Sequence, residues 1–262
     1  MAQNFSLSKW YLDCITPSGE TWIGYAAQLH WRAFSLSYSS MLHCTPAGHI
    51  AERTSIRNIQ MPSFENDLLL WAPRMLKIEG SWRSDAKPVE RVLYQTEEGV
   101  LRWSCLMPRA NCILRLPDHL IRGYGYVELL HLTIPPWTLP IETLRWGRFL
   151  SETDGLVWIE WQGAEPKKIL LYNGEEVHDA SIGDTEITYA DGRSVLHLLD
   201  PLVLRKGRLI STALKKIPGI KSIVPAKILE TYECKWRSRG RLQHLPITTS
   251  EGWAIHEIVR FK

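Results

Sequence analysis

The chain has 262 residues, is 45% hydrophobic and 23% charged, and carries a net charge of +3. These are the proportions of a globular protein with chain enough for one large or two small domains. A charge this small excludes a nucleic-acid protein that works by electrostatics alone, and no window reaches the ~18 uncharged apolar residues of a spanning helix. Twelve tryptophans point to an aromatic-rich β core or an aromatic-lined cavity.

In chain order, the dominant period is two. The N-terminus, MAQNFSLSKWYLDC, lacks a basic region followed by a long apolar one, so no secretory signal is expected. Trp10 to Ile15 reads as a strand. Residues 16–20 have turn chemistry, and Thr21 to Trp31 is the hairpin partner. Phe34 to Ser39 alternates apolar and polar residues strictly. Arg74 to Trp82 is a further strand. Arg91 to Gln95 and Val100 to Met107 flank Glu97-Glu98-Gly99 as a hairpin. Asn111 to Leu116 and Tyr124 to Ile134 continue the pattern up to the diproline at 135–136. Beyond it come Leu156 to Trp161 and Lys168 to Tyr172, the latter followed by an Asn173-Gly174 turn. Glu186 to Tyr189 and Ser194 to Leu199 flank Ala190-Asp191-Gly192-Arg193, and Tyr232 to Leu242 and Trp253 to Phe261 are the last strands. Lys206 to Ile217 departs from this. Leu209, Ile210, Ala213, Leu214 and Ile217 recur at helical spacing opposite lysines, which predicts an amphipathic helix ended by Pro218-Gly219. It would plug one end of a barrel, or act as a gate or membrane-surface contact.

The expected fold is therefore all-β: two antiparallel β units, residues 1–136 and 137–262, with one short helix near 206–217. Trp10-Tyr11-Leu12-Asp13 and Gly125-Tyr126-Val127-Glu128 are both aromatic-x-acid steps, a loose sign that the halves are related. The stretch from Arg205 to Lys227 has seven basic residues and no acid. It reads as a solvated face, with an anionic membrane surface as the alternative. Cys14, Cys44, Cys105, Cys112 and Cys234 show no CxxC pair and no metal-ligand spacing, as expected of reduced, buried thiols in a cytoplasmic chain.

Nucleophile, phosphate-loop, dinucleotide and zinc motifs are all absent, and no cofactor or metal is expected. What stands out is a carboxylate on an aromatic strand face. Residues two apart on a strand share a side, so Tyr124, Tyr126 and Glu128 project together, as do Tyr11 and Asp13. Burial would keep such an acid neutral and able to donate a proton. Alternatively, Arg145 or Arg148 would pair with Glu128 and make it a structural salt bridge. Tyr and Trp faces can stabilise a developing carbocation, and a shaped pocket can hold a folded conformer for closure. His30, His131 and His256 are the histidines placed to face a site.

These residues resemble a known family. Trp10-Tyr11-Leu12-Asp13 is similar to the Trp-Tyr-x-Asp feature of the carotenoid 1,2-hydratase (hydroxyneurosporene synthase) and AttH-like group. Gly123 to Glu128 followed by Trp146-Gly147-Arg148 resembles that group's Gly-x-x-Tyr-x-Asp … Trp-x-Trp-x-Arg region. The resemblance implies paired lipocalin-like barrels packed together, and cofactor-free work on terpenoid, polyene or polyketide intermediates, as in lipocalin-like natural-product cyclases. The chain departs from the hydratase pattern: Glu128 replaces Asp, Leu129-Leu130-His131 replaces the polar residues after it, and Leu144 replaces the first Trp. The retained acid without its polar neighbours favours cyclisation or isomerisation over hydration. The catalytic residues expected are Glu128, Tyr126 and Asp13. Tyr11, Trp31, Tyr124, Trp146, Arg148 and His30 are expected to bind a hydrophobic substrate. A carrier without chemistry, and a peripheral scaffold using 205–227, are the competing readings. No nucleic-acid partner is expected, and no oligomeric state follows.

Overall fold

The computed structural model describes residues 5–212, 224–245 and 248–261. The chain divides into two compact units, residues 1–139 and 140–262, each built on one curled antiparallel sheet. The first holds β1 (Phe5–Ile15), β2 (Thr21–Trp31), β3 (Phe34–Cys44), β4 (Ile50–Ser55), β5 (Ser63–Glu65), β6 (Leu68–Trp71), β7 (Glu79–Arg83), β8 (Val89–Thr96), β9 (Gly99–Arg115) and β10 (Leu120–Leu132). The second holds β11 (Ile141–Ser151), β12 (Gly155–Gly163), β13 (Lys167–Tyr172), β14 (Glu175–Glu176), β15 (Ser181–Ile182), β16 (Glu186–Tyr189), β17 (Ser194–Arg208), β18 (Tyr232–His244) and β19 (Thr248–Arg260), with a one-turn helix α1 (Ala226–Leu229).

The two units share a connectivity. The first sheet runs β4-β3-β2-β1-β10-β9-β7-β6-β5 and the second β14-β13-β12-β11-β19-β18-β17-β16-β15. In the first unit β7 pairs with the Asn111–Arg115 part of β9 and β8 with the Gly99–Cys105 part. In the second, the single strand β17 spans both places along β18. The equivalent of β1 is therefore β11. The aromatic-x-acid step at Gly125–Glu128 does not open the second unit: it lies in β10, the last strand of the first and the antiparallel partner of β1.

Three elements differ from the sequence expectation. Arg74–Leu76 is a short 3-10 turn rather than strand, entered from Pro73 and ended by Lys77 at φ 55°, and only Glu79–Arg83 pairs with β9. Val100–Met107 and Asn111–Leu116 merge into β9, because a bulge absorbs Pro108. The ladder steps from Val127↔Met107 to Gly125↔Ala110, three residues against two, so the proline's missing N–H costs no rung. The helix expected at 206–217 begins instead as strand, since Arg208 still pairs with Tyr232. Leu209–Ser211 follows as a 3-10 turn, and 213–217 lie outside the described residues. A helical period cannot outweigh a free sheet edge offering backbone partners. Arg205 and Arg208 of that basic stretch are ion-paired with Glu233 and Glu230.

Each unit has its own apolar cluster. Leu12, Cys14, Trp71, Trp82, Met107 and Val127 belong to the first, and Phe149, Leu156, Trp158, Leu170, Leu196 and Leu242 to the second. Trp71 and Trp82 serve as core with their N–H groups satisfied, as burial requires. Trp71 donates to the Gln60 carbonyl at 2.9 Å and Trp82 to the Asp13 carbonyl at 2.7 Å. Close approach demands glycine at Gly147, where a Cβ would lie 2.3 Å from the Trp158 ring. All five cysteines are free and buried. Among the described residues no helix is long and apolar enough to cross a membrane.

His256 projects into the second unit. Its Nε2 lies 2.9 Å from Ser238 Oγ and its ring stacks on Trp236 at 5.2 Å. Burial pushes its pKa down to about 4. Unfolding frees it to bind a proton at its ordinary value, so this contribution is complete above about pH 6.5 and lost as the pH falls towards 4, on the order of 3 kcal/mol in all. Urea unfolding at pH 7 and pH 4.5 should show wild type losing roughly 2 kcal/mol more than His256→Gln. Equal losses would contradict this.

Candidate functional site

The site is built where β1 and β10 run side by side. Their register sets Tyr11 opposite Glu128 and Leu12 opposite Val127. Leu12 and Val127 belong to the core cluster, so by alternation Tyr11, Asp13, Tyr126 and Glu128 lie on the other face of the sheet. The acid row therefore lies on the face opposite this tryptophan-rich cluster, and Tyr11, Asp13 and Tyr126 are themselves buried.

The row is a hydrogen-bonded chain. Tyr11 donates its hydroxyl to Asp13 Oδ2 at 2.9 Å, and Asp13 Oδ1 accepts the backbone N–H of Tyr126 at 3.1 Å. Tyr126 donates its hydroxyl to Glu128 Oε2 at 2.7 Å, and Trp103 Nε1 of β9 donates to the same oxygen at 2.6 Å. No ladder pair forms between Leu12↔Val127 and Ile15↔Tyr124. There the Asp13 carboxylate takes the Tyr126 N–H while Trp82 takes the Asp13 carbonyl. Gly125 makes this possible: a Cβ there would lie 2.5 Å from the Asp13 carbonyl oxygen and 2.7 Å from the Trp82 ring. The Tyr11 ring meets Tyr25 and Tyr126 edge-on at 5.5 and 5.9 Å, and Lys9 Nζ sits 5.1 Å over the Tyr25 ring.

Exposure separates the two acids. Asp13 is 1% exposed and Tyr126 0%, whereas Glu128 is half-buried. Glu128 can thus touch a substrate, and Asp13 can act only through what it holds. Burial, then Cys105 and Glu128, raise the Tyr126 phenol well above its ordinary pKa, which keeps it a neutral donor. Burial, then Glu128, likewise raise the Cys105 thiol, so Cys105 is no thiolate nucleophile. Glu128 Oε2 thus accepts hydrogen bonds from two neutral groups, which fix the orientation of the carboxyl.

The structure brings Tyr11, Asp13, Tyr126 and Glu128 together. Tyr124 extends the row by one step and stacks under Arg109 at 5.7 Å. His30 is exposed, and Trp31 packs on Trp137 at 5.0 Å. Both lie at the far end of β2, Trp31 six residues past Tyr25 and so about 20 Å along the strand. Trp146 and Arg148 are in the second unit on β11, alternating with the core residue Phe149 as Tyr11 and Asp13 alternate with Leu12. Lys235 Nζ lies 5.2 Å over the Trp146 ring, and Arg148 Nη1 donates to the Trp253 carbonyl at 2.8 Å. Arg145 is taken by Asp184 and Glu160 at 2.7 and 2.8 Å. Trp103, Tyr25 and Trp82 escaped sequence reasoning. Trp103 lies 25 residues from Glu128, and only the β9–β10 register reveals their meeting.

No family model matches the chain, and no curated protein matches it. Solved structures do. CghA with Sch210972 superposes with a TM-score of 0.59 at 9% identity, covering 98% of this chain and 89% of that one. A second CghA structure gives 0.60 at 9% identity, covering 98% and 88%. Kievitone hydratase from Nectria haematococca gives 0.55 at 10% identity, covering 97% and 88%. The chain thus has the two-unit lipocalin-like fold of these proteins along almost its whole length.

Proposed function

We propose that this protein is a cofactor-independent cyclase or isomerase acting on a hydrophobic terpenoid, polyene or polyketide intermediate, with Glu128 as its acid. One observation carries the reading: a half-buried carboxyl whose Oε2 is fixed by two neutral donors, Tyr126 and Trp103, within a row of aromatic rings. In the proposed reaction the Glu128 carboxyl gives a proton to a carbon–carbon double bond. The aromatic faces stabilise the cation that forms, which an internal double bond can attack to close a ring. Loss of a proton from an adjacent carbon back to the carboxylate ends the cycle with no change in molecular formula. Capture of the cation by water instead would make the enzyme a hydratase. The sharing of this fold with kievitone hydratase supports that alternative, and the loss of the polar residues after Glu128 argues against it.

Asp13 and Tyr11 are positioning residues in this account: they hold the Tyr126 strand in place. Tyr124 is proposed to contact the substrate, with His30 and Trp31 outside the immediate reach of the acid; Trp146 and Arg148 are buried in the second unit. Removing one donor to Glu128 tests the arrangement. Tyr126→Phe should lower turnover about tenfold, the scale of one hydrogen bond to a charged group, with little change in melting temperature. Unchanged turnover would show that the fixed carboxyl is not used.

A further inference from the structure

Lys9 stands on β1 two residues before Tyr11, and so on the face that carries the acid row. Its Nζ sits 5.1 Å over the Tyr25 ring, which in turn meets Tyr11 edge-on. The register sets Lys9 opposite Leu130 of β10, and Tyr11 opposite Glu128. Lys9 and Glu128 are therefore diagonal neighbours across the two strands, about 7–8 Å apart along the backbone. Lys9, Leu130, Glu128 and Tyr124 are half-buried, whereas Tyr11 and Tyr25 are buried. This strip is thus open to a guest where the rings of the row are not.

Among the described residues Lys9 forms no ion pair. Lys235, the buried lysine of the second unit, differs: its Nζ is 2.6 Å from Glu257 Oε2. The acid nearest to Lys9 in register is Glu128, whose Oε2 is held by Tyr126 and Trp103. An ammonium has three N–H donors and no acceptor. The Tyr25 ring face attracts its charge but offers those donors no oxygen. A half-buried ammonium has shed part of its water, and an anionic oxygen replaces that water best.

We propose that Lys9 is the specificity-determining residue of the Glu128 site, and that the substrate is a hydrophobic chain ending in a single carboxylate. The proposal deepens the reading of Glu128 as the acid and rests on it. The head would sit on Lys9, the body would pass Leu130 to reach Glu128, and the far end would meet Tyr124. A head fixed at Lys9 decides which carbon lies against the Glu128 carboxyl. Charge selects the class. An alcohol gives the ammonium only a neutral acceptor, and a protonated amine is repelled by it. A dianionic phosphate leaves one charge unbalanced beside Glu128.

The test is isothermal titration calorimetry of the full chain with decanoate and with decan-1-ol, with backbone amide NMR to place the ligand. Wild type should bind decanoate about tenfold more tightly than decanol, the scale of one hydrogen bond between charged groups. Decanoate should shift the Lys9 and Ala27 amides saturably. Lys9→Met keeps the length of the side chain without its charge; it should lose the tenfold preference and bind decanol as wild type does. Lys9→Arg should keep the preference. Lys87→Met, which removes an exposed cation of the same unit, should behave as wild type. Equal decanoate binding by wild type and Lys9→Met would overturn the proposal, as would an equal loss in Lys87→Met or no binding by wild type. The assay reads no turnover, so its failure is distinct from that of Glu128→Gln. Loss of the Lys9 effect removes the anchor alone, and unchanged turnover in Glu128→Gln removes the acid alone.

Discussion

Glu128→Gln is expected to lower turnover by about 10²–10⁴, the usual contribution of a positioned general acid, while the fold survives. The substitution is nearly isosteric. A glutamine carbonyl oxygen in place of Oε2 can still accept from Tyr126 and Trp103, so both donors stay satisfied. What it cannot do is donate a proton as a carboxylic acid does. The loss should fall on kcat with KM little changed, because the removed interaction forms only as charge develops. Circular dichroism and melting temperature would establish that the fold is intact. Turnover within twofold of wild type would remove Glu128 from the chemistry and leave the fold a carrier.

Gly125→Ala should damage structure and site together, at about 2–4 kcal/mol of stability. The new methyl group would lie 2.5 Å from the Asp13 carbonyl oxygen and 2.7–2.8 Å from two atoms of the Trp82 indole. Backbone on one side and a fully buried ring on the other cannot both yield. The Trp82–Asp13 bond must lengthen, and with it the Asp13 carboxylate that takes the Tyr126 N–H. Chemical denaturation would measure the loss. Activity should also fall in conditions where the variant remains folded. Wild-type stability with wild-type activity would contradict the geometry.

Glu128 and the surroundings of Gly125 were unequally legible in the sequence. Alternation and turn chemistry located most strands, because the polar tetrapeptide between β16 and β17 and the Asn173-Gly174 turn permit little else. The shared face of Tyr126 and Glu128 was equally legible, since it depends only on local spacing. Asp13 and Tyr126 are 113 residues apart, and nothing local shows that the carboxylate replaces a ladder bond. Trp103 was visible as a core-type residue but not as a donor to Glu128, because a tryptophan's N–H partner is a property of register. The end of β17 was misread because Lys206–Arg208, the start of the helical pattern, pair with Cys234–Tyr232 of β18, and backbone pairing with a neighbouring strand outweighed local period. The loose likeness of the halves proved real in connectivity but pointed to the wrong strands: β11, not β10, answers to β1.

Under the proposed function the protein converts a hydrophobic molecule rather than only carrying it. The direct measurement is to incubate the purified protein, and in parallel Glu128→Gln, with a lipid extract of its own host and compare the compounds by mass spectrometry. Wild type alone should consume one hydrophobic compound and form an isomer of equal mass. A product heavier by one water would assign the hydratase alternative. A compound that binds wild type and is recovered unchanged, or the same product from both proteins, would contradict the claim.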